Sequence, residues 1–393
     1  MSPIRQHSNW AVFASLILLA VSVVRVPVAD GCFRPLFQLI TETGVFFLFA
    51  VFIYFYINKW WGLFLTLTLV STIFPFFGKW SYMARGAVLV GCIWYVLLVA
   101  FVKNPKYLLD ALCVIALINV LFANLQYCGF DPYKLATFGL MDSSSGHPTG
   151  LMANKNLLSA LLAFSLPAFF RKQWVWFAPV VFFGLIIASS TGGVAAVFVM
   201  TLVYFFLKDR KDALRRNYWK IGALIVWFCF FTIHIDPPLA IETVKSSDVV
   251  EERQPTEVTV TNSLTHRTKT WMKGIELYNQ RPLMGYGIGH WKLVFKKMSK
   301  PGESVMVQAH NEFIQGLFEM GILFPVILVG YFIAIVRRYR KEAILPCIAV
   351  GIIALNSCVN FPFHVATTAI IAVTWMAILE IELRKGNYAS RYW

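Results

Sequence analysis

The sequence predicts an all-α polytopic membrane protein with about twelve transmembrane helices and one large periplasmic loop carrying short helices. Of its 393 residues, 58% are hydrophobic and only 14% are charged, and the mean hydropathy is +0.64. Soluble domains have about 25% charged residues, so that class is excluded. Apolar runs of about 20 residues, the length that crosses a bilayer, recur along the chain. We therefore expect residues 1–393 to form a single membrane domain.

The large loop 235–310 is inserted between the ninth and the tenth of the expected spans, and a second outer loop runs from Cys128 to Gly150. The other connections are short. The spans cover approximately residues 11–28, 36–57, 61–77, 85–102, 107–127, 151–170, 174–190, 192–207, 218–234, 311–336, 343–360 and 364–383. The first mimics a signal peptide, but no convincing cleavage site follows it, so we interpret it as a transmembrane helix.

Lysine and arginine in the short loops indicate the orientation of the bundle. If the N-terminus is cytoplasmic, the inner loops carry most of these bases, including the six in KDRKDALRRNYWK. The short outer loops are poor in bases, with GKWSYMAR as the exception. This pattern places both termini in the cytoplasm and the loop 235–310 outside. It also explains the formal net charge of +15, which gives no reason to expect a nucleic-acid partner.

The loop 235–310 separates its charges along the chain. Residues Asp236 to Glu257 include six acids and two bases, whereas Val258 to Gly302 include eight bases and one acid. A basic surface beside a membrane suits a polyanionic ligand such as a phosphorylated lipid. The alternative is a solvated loop with scattered charge.

The basic half of this loop predicts a helix that ends near Gln280, with Ser263 or Thr265 as its cap. Residues at helical spacing share one face of it: Arg267, Trp271, Gly274 and Tyr278. Arginine suits a diphosphate because its planar fork binds two oxygens and keeps its charge. The alternative is a helix at the membrane surface whose arginine meets lipid headgroups. Arg281 and the turn GYGIG follow, and the N–H groups of that turn are expected to face an anion.

Two other polar clusters lie where the chain is expected to enter the membrane. In the first, His310 can accept a proton near neutral pH, and a polar stripe follows it on the next helix: Asn311, Gln315 and Glu319. In the second, three residues open a span from the outer side, where a helix N-terminus favours an anion: Asn154, Lys155 and Asn156. Helix capping and interhelical hydrogen bonds are the alternative roles for both clusters.

Taken in order, these stretches resemble the O-antigen ligase and polymerase superfamily of bacterial membrane glycosyltransferases. The match comprises TGLMANKN at a span entrance, Arg267 and Trp271 followed by PLMGYG, then His310-Asn311, and Glu319 two residues before Gly321. The order and spacing of these motifs, with the large loop between spans nine and ten, carry the resemblance.

One position departs from the family pattern. Many members have Ser-Arg-Gly where this chain has Ser190-Thr191-Gly192, so a second diphosphate-binding arginine is missing at Thr191. Either Lys155 or Arg281 compensates, or the substrate is held differently.

The resemblance implies an inverting glycosyltransferase of the bacterial inner membrane, with its active site facing the periplasm. We expect it to be metal-independent, because no cluster of Asp or Glu in the sequence suggests a metal site. It would move a glycan from undecaprenyl diphosphate to a lipid A-core acceptor in lipopolysaccharide biosynthesis, without a cofactor. His310 and Arg267 would be catalytic. The other implied residues would bind substrate: Asn154, Lys155, Asn156, Trp271, Arg281, Asn311 and Glu319.

Two other functions remain open. A polymerase of the same superfamily would join lipid-linked repeat units, so its acceptor would be a second lipid-linked glycan. A transporter or flippase would move the lipid-linked glycan without breaking a glycosidic bond. Secondary transporters usually place polar groups near the membrane midplane, whereas this chain concentrates them at the outer face.

The orientation leads to a first prediction. Reporter fusions at Lys211 and Arg340 should show cytoplasmic activity, and a fusion at Asp248 should show periplasmic activity, because the short-loop bases hold their side of the bundle in the cytoplasm. A cytoplasmic signal at Asp248 would contradict both the topology and the mechanism, since the donor glycan lies on the periplasmic side.

Overall fold

A computed structural model describes residues 59–60, 79–130, 148–152, 154–208, 260–298 and 308–389. The regular elements of these residues are helical, as predicted. They are α1 (Lys79–Phe101), α2 (Lys106–Tyr127), α3 (Lys155–Ser165), α4 (Ala178–Ile187), α5 (Thr191–Lys208), α6 (Val260–Tyr278), α7 (Trp291–Met298), α8 (Glu312–Met320), α9 (Leu323–Arg338), α10 (Ile344–Ser357) and α11 (Ala366–Ala389). Short 3-10 turns extend or connect them at Gly150–Met152, Leu166–Phe170, Val175–Phe177, Lys341–Ala343 and Pro362–His364.

Two helices in the described ranges are long and apolar enough to cross a membrane: Lys106–Tyr127 and Ala366–Lys385. Shorter apolar helices cover Val90–Phe101, Lys155–Phe170, Val175–Ile187 and Thr191–Tyr204. The predicted total of twelve spans is therefore not confirmed. The expected spans 11–28, 36–57, 61–77 and 218–234, and the acidic part of the long loop, lie outside the described residues.

The expected continuous span 311–336 is wrong, because the structure divides it into α8 and α9. Gly321 separates the two helices with a φ of 72°, a backbone conformation that residues with a side chain rarely adopt. A Cβ atom at this position would collide with the backbone of Leu283. The turn that follows α6 therefore occupies the space that a continuous helix would need.

The main bundle packs α1 against α11, α3 and α10 against α5, and α2 against α4. Small residues bring backbones close together, as is common between helices in membranes: Gly193 of α5 lies directly against Ser159 of α3. Tryptophan N–H groups also join distant helices. Nε1 of Trp375 donates to the carbonyl oxygen of Phe164 over 2.7 Å.

Helices α6, α7 and α8 form a second, smaller layer with its own apolar core. Its buried residues are Leu277, Trp291, Phe295, Ala309 and Phe318. Gly274 makes room for the Trp291 ring, which a Cβ atom there would approach to 2.8 Å, and Trp291 stacks on Phe295 with a centroid distance of 4.1 Å. The described part of the basic segment is therefore packed structure, which disfavours a solvated loop with scattered charge.

Several basic side chains are paired at the other end of the bundle. Arg171, after α3, forms a 2.7 Å ion pair with Asp110 near the start of α2. Arg338 and Arg384 both contact the buried carboxylate of Glu380, at 3.2 and 2.9 Å. The starts of α3 and α5 and the end of α10 are thus left at the opposite end, beside α6 and α8.

Candidate active site at one end of the bundle

The site forms where α6 meets the turn that follows α10. Nη1 of Arg267 donates to the carbonyl oxygen of Val359 over 3.1 Å. Gly192, in the first turn of α5, lies against the same turn, since a Cβ atom there would come within 2.8 Å of Val359 and 3.1 Å of Asn360. Two stretches chosen from the sequence, the Arg267 helix and the Ser190–Gly192 segment, therefore meet at one turn.

Arg267 points into the protein and is half-buried. Burial lowers its pKa, but a guanidinium keeps its charge at physiological pH. Among the described residues, its buried Nε atom has no hydrogen-bond partner. This inward orientation disfavours the alternative in which Arg267 only meets lipid headgroups, and it leaves an unsatisfied donor that suits an anion.

His310 lies beside the same turn in a strained conformation. Its φ of 52° is in the left-handed region, which is uncommon for residues other than glycine. The ring packs edge-on against Phe361, with centroids 4.6 Å apart. In the described part of the chain, its buried Nδ1 atom has no hydrogen-bond partner.

Burial, and then the nearby charge of Arg267, lower the pKa of His310 to about 4. This pKa lies below the ~6.5 of an unperturbed histidine. The ring is neutral at physiological pH, which is the form that accepts a proton. The charge effect also places Arg267 and His310 in one electrostatic environment.

Trp271 and Gln315 hold the residues just before His310. Nε1 of Trp271 donates to the carbonyl oxygen of Ala309 over 2.7 Å, and the N–H of Ala309 donates to Oε1 of Gln315 over 3.0 Å. The polar edge of Trp271 therefore stabilises the protein, and only its ring face remains for a substrate contact.

Helix α6 is already helical at Val260, so the expected caps Ser263 and Thr265 are wrong.

The two asparagines expected to bind substrate both cap helices. Oδ1 of Asn154 accepts from the N–H groups of Asn156 and Leu157 at the start of α3. Oδ1 of Asn311 does the same for the third and second residues of α8, Ile314 and Phe313, at 3.0 Å each. The capping alternative is thus realised, and substrate binding by these residues stays a prediction.

Lys155 lies on the face of α3 that meets α5. It precedes Ser159 by four residues, so the two side chains share a face, and Oγ of Ser159 contacts the carbonyl oxygen of Ser190 over 3.4 Å. Lys155 is thus one turn closer to the end of the bundle at which Thr191 begins α5.

Arg281 lies far from Arg267. It follows the last residue of α6, Tyr278, which is about 17 Å along the helix axis from Arg267. Its guanidinium sits over the ring of Tyr286, 5.1 Å from the centroid. The structure therefore does not bring the two arginines together at the turn after α10.

The first N–H groups of the glycine-rich turn GYGIG donate to backbone carbonyl oxygens, and binding of a substrate anion by this turn stays a prediction. Tyr286 and Gly287 donate to the carbonyl oxygens of Phe318 and Glu319, over 2.9 and 2.8 Å. The N–H of Gly285 donates to the carbonyl oxygen of Arg281 over 3.0 Å. The turn thus fastens α6 to the last turn of α8.

Glu319 lies 3% exposed at this junction. Its carboxylate accepts the N–H of Trp291 at 3.4 Å, the amide of Gln315 at 3.1 Å, and the N–H of Gly289. The anion that the glycine-rich segment meets is therefore a side chain of the protein itself. These contacts indicate a structural role, and substrate binding by Glu319 stays a prediction.

The sequence argument missed His364, in the turn between α10 and α11. Its Nδ1 lies 3.1 Å from the carboxylate of Glu312, and its Nε2 lies 2.8 Å from Nε2 of Gln315. The sequence does place His364 in a short loop on the same predicted side of the membrane as His310, and this could have marked it as a candidate site residue. Only the folded chain shows that this loop touches the start of α8.

The proton on His364 is subject to two opposing demands. Burial alone lowers its pKa, but the carboxylate of Glu312 favours the charged ring and raises the pKa to about 9. The amide Nε2 of Gln315 instead requires a ring whose Nε2 accepts a hydrogen bond. Because Oε1 of Gln315 is used by Ala309, a hydrogen bond between the two Nε2 atoms requires the neutral ring with its proton on Nδ1.

Comparison with known proteins identifies one family for part of the chain. Residues 176–324 match the family model described as O-antigen ligase, whereas no curated protein matches the chain. The matched range contains Arg267, Trp271, His310 and Glu319, and it ends before the turn that holds His364. The resemblance inferred from the motifs is thus confirmed for residues 176–324, which are similar to the O-antigen ligase family.

Proposed function

We propose that the chain is an inverting glycosyltransferase that moves a glycan from undecaprenyl diphosphate to the lipid A-core, on the periplasmic face of the bacterial inner membrane. The observation that carries the proposal is the inward-facing Arg267, which shares the turn after α10 with His310 and with the start of α5. A fixed cation beside a neutral imidazole suits a reaction in which one oxygen leaves with negative charge while another loses a proton.

On this proposal Arg267 binds the diphosphate and stabilises the charge that develops as the sugar–phosphate bond breaks. Its hydrogen bond to Val359 fixes the guanidinium, and its unsatisfied Nε is available to a phosphate oxygen. Because the group is half-buried, its interaction with an anion is stronger than it would be in open water.

His310 would accept the proton of the acceptor hydroxyl. A base with a pKa of about 4 is weak for this task at neutral pH. The bound diphosphate brings negative charge next to Arg267, which offsets the cation that helps to depress the pKa of His310. Donor binding would therefore raise the basicity of His310 when the acceptor is to be activated.

The same superfamily includes polymerases, so the acceptor is the part of the proposal that needs a direct test. Purified protein in proteoliposomes should release undecaprenyl diphosphate from a lipid-linked glycan when lipid A-core is added. Release with a second lipid-linked repeat instead would identify a polymerase, and transport without release would identify a flippase.

Arg267→Lys should reduce this release by about 100-fold, because lysine keeps the charge but loses the planar fork that fits two phosphate oxygens. Lys297→Ala is the matched control, since Lys297 is an exposed base in the same loop, and it should release at the wild-type rate. If Arg267→Ala releases undecaprenyl diphosphate at the wild-type rate, Arg267 has only a packing role.

The pH dependence should separate the free enzyme from the donor complex. The neutral ring is the active base, so kcat/KM should fall only as pH drops toward about 4, the pKa of His310 in the free protein. The corresponding limb of kcat should lie at higher pH, because bound diphosphate favours the protonated ring.

His310→Asn is the matched variant, because asparagine tolerates a positive φ. It should retain donor binding and lose about 10²–10⁴-fold in kcat, together with both acidic limbs. A wild-type rate that falls as pH rises from about 5 to 8 would instead assign His310 as a cation for the diphosphate.

Lys155 is the proposed substitute for the arginine missing at Thr191. Lys155→Ala should weaken binding of undecaprenyl diphosphate about tenfold, and adding Thr191→Arg in that variant should restore it. Lys172→Ala, an exposed base beyond the other end of α3, should bind normally. Unchanged affinity in Lys155→Ala would remove Lys155 from the donor site.

A further inference from the structure

The strained conformation of His310 needs an external constraint. A left-handed backbone at a residue other than glycine is unfavourable and persists only when the surroundings impose it. Here both backbone groups of the preceding residue, Ala309, are engaged: its carbonyl by Trp271 over 2.7 Å and its N–H by Gln315 over 3.0 Å. Ala309 is fully buried, so neither bond can be replaced by water.

Gln315 is the centre of these contacts, and it is only 3% exposed. Oε1 accepts from Ala309, while Nε2 lies 2.8 Å from Oε1 of Gln308 and 3.1 Å from Glu319. Turning the amide over would set two nitrogen donors against each other at Ala309 and oxygen against oxygen at Gln308. The contacts therefore fix one orientation of the amide.

His364 supports that orientation from the other side. Its Nε2 atom lies 2.8 Å from Nε2 of Gln315. In the neutral ring with its proton on Nδ1, this atom accepts one of the two amide hydrogens, and Gln308 and Glu319 share the other. The ring is itself held by Glu312, whose carboxylate is 3.1 Å from Nδ1 and also accepts the N–H of Phe363 over 2.8 Å. Glu312 keeps a proton on Nδ1, so Nε2 is the nitrogen that accepts whenever the ring is neutral.

We propose that Gln315 and His364 are positioning residues that hold the Gln308–His310 segment in the conformation needed for proton transfer. The inference rests on the proposed role of His310 as the base, and it adds two residues to which neither the family match nor the motifs assign a role. Neither residue needs to touch the substrate. Each acts through the backbone of Ala309.

Two substitutions of His364 separate its two nitrogen atoms. Glutamine places a polar atom near the position of Nε2, so His364→Gln can still accept from Gln315. Asparagine places one near Nδ1, so His364→Asn keeps only the contact with Glu312. We expect His364→Gln to retain most of the wild-type kcat, and His364→Asn and Gln315→Leu to lose about 10- to 100-fold in kcat with donor KM unchanged.

Hydrogen exchange of the Ala309 amide provides a readout that does not depend on activity. It should be slow in the wild type and in His364→Gln, and faster in His364→Asn and Gln315→Leu, with unchanged exchange in α10 and α11. The matched control is Gln173→Leu, which removes a 2.8 Å side-chain hydrogen bond to Asp110 at the opposite end of the bundle and should alter neither kcat nor exchange at Ala309.

Equal kcat and equal exchange in His364→Asn and His364→Gln would overturn the proposal, as would slow exchange at Ala309 in Gln315→Leu. A wild-type protein that transfers no glycan would instead refute the proposed function. The exchange measurement would still decide whether Gln315 and His364 hold this segment.

Discussion

A half-buried positive charge with too few partners is the constraint around which this end of the molecule is arranged. Taking a guanidinium out of water costs free energy unless its donors find acceptors. Within the described ranges, Arg267 has one acceptor, the carbonyl of Val359, and its buried Nε has no hydrogen-bond partner. The same charge helps to keep His310 neutral. On the proposed function, a bound diphosphate would relieve both effects.

The small layer of α6, α7 and α8 keeps that charge in place. The layer is held together at the end of α8, where N–H groups of the glycine-rich turn donate to the carbonyl oxygens of Phe318 and Glu319. The carboxylate of Glu319 also accepts hydrogen bonds from the backbone N–H of Trp291 and the side-chain amide of Gln315. The expected long span is interrupted at Gly321, next to these contacts. Helix α8 is therefore short, and His310 lies just before its first residue.

Local pattern was sufficient for the helical class and for the inward face of α6. The spacing of Arg267, Trp271 and Gly274 predicts one face, and in the structure these residues meet Val359, Ala309 and Trp291. Long-range partners could not be predicted in this way. The sequence of the glycine-rich turn suggests an anion site, but in the folded chain its first N–H groups donate to carbonyl oxygens of α8. The sequence likewise does not show that His310 is buried, because that depends on where Phe361 packs.

The proposed mechanism makes acceptor activation depend on the donor. Without donor, burial and Arg267 hold the pKa of His310 near 4, so an acceptor hydroxyl arriving first meets a weak base. Diphosphate at Arg267 adds negative charge beside the ring and strengthens the base. Arg267 would then act twice, on the leaving group directly and on His310 through its charge. Loss of Arg267 and loss of His310 should therefore not be additive in free energy, because each removes part of what the other contributes.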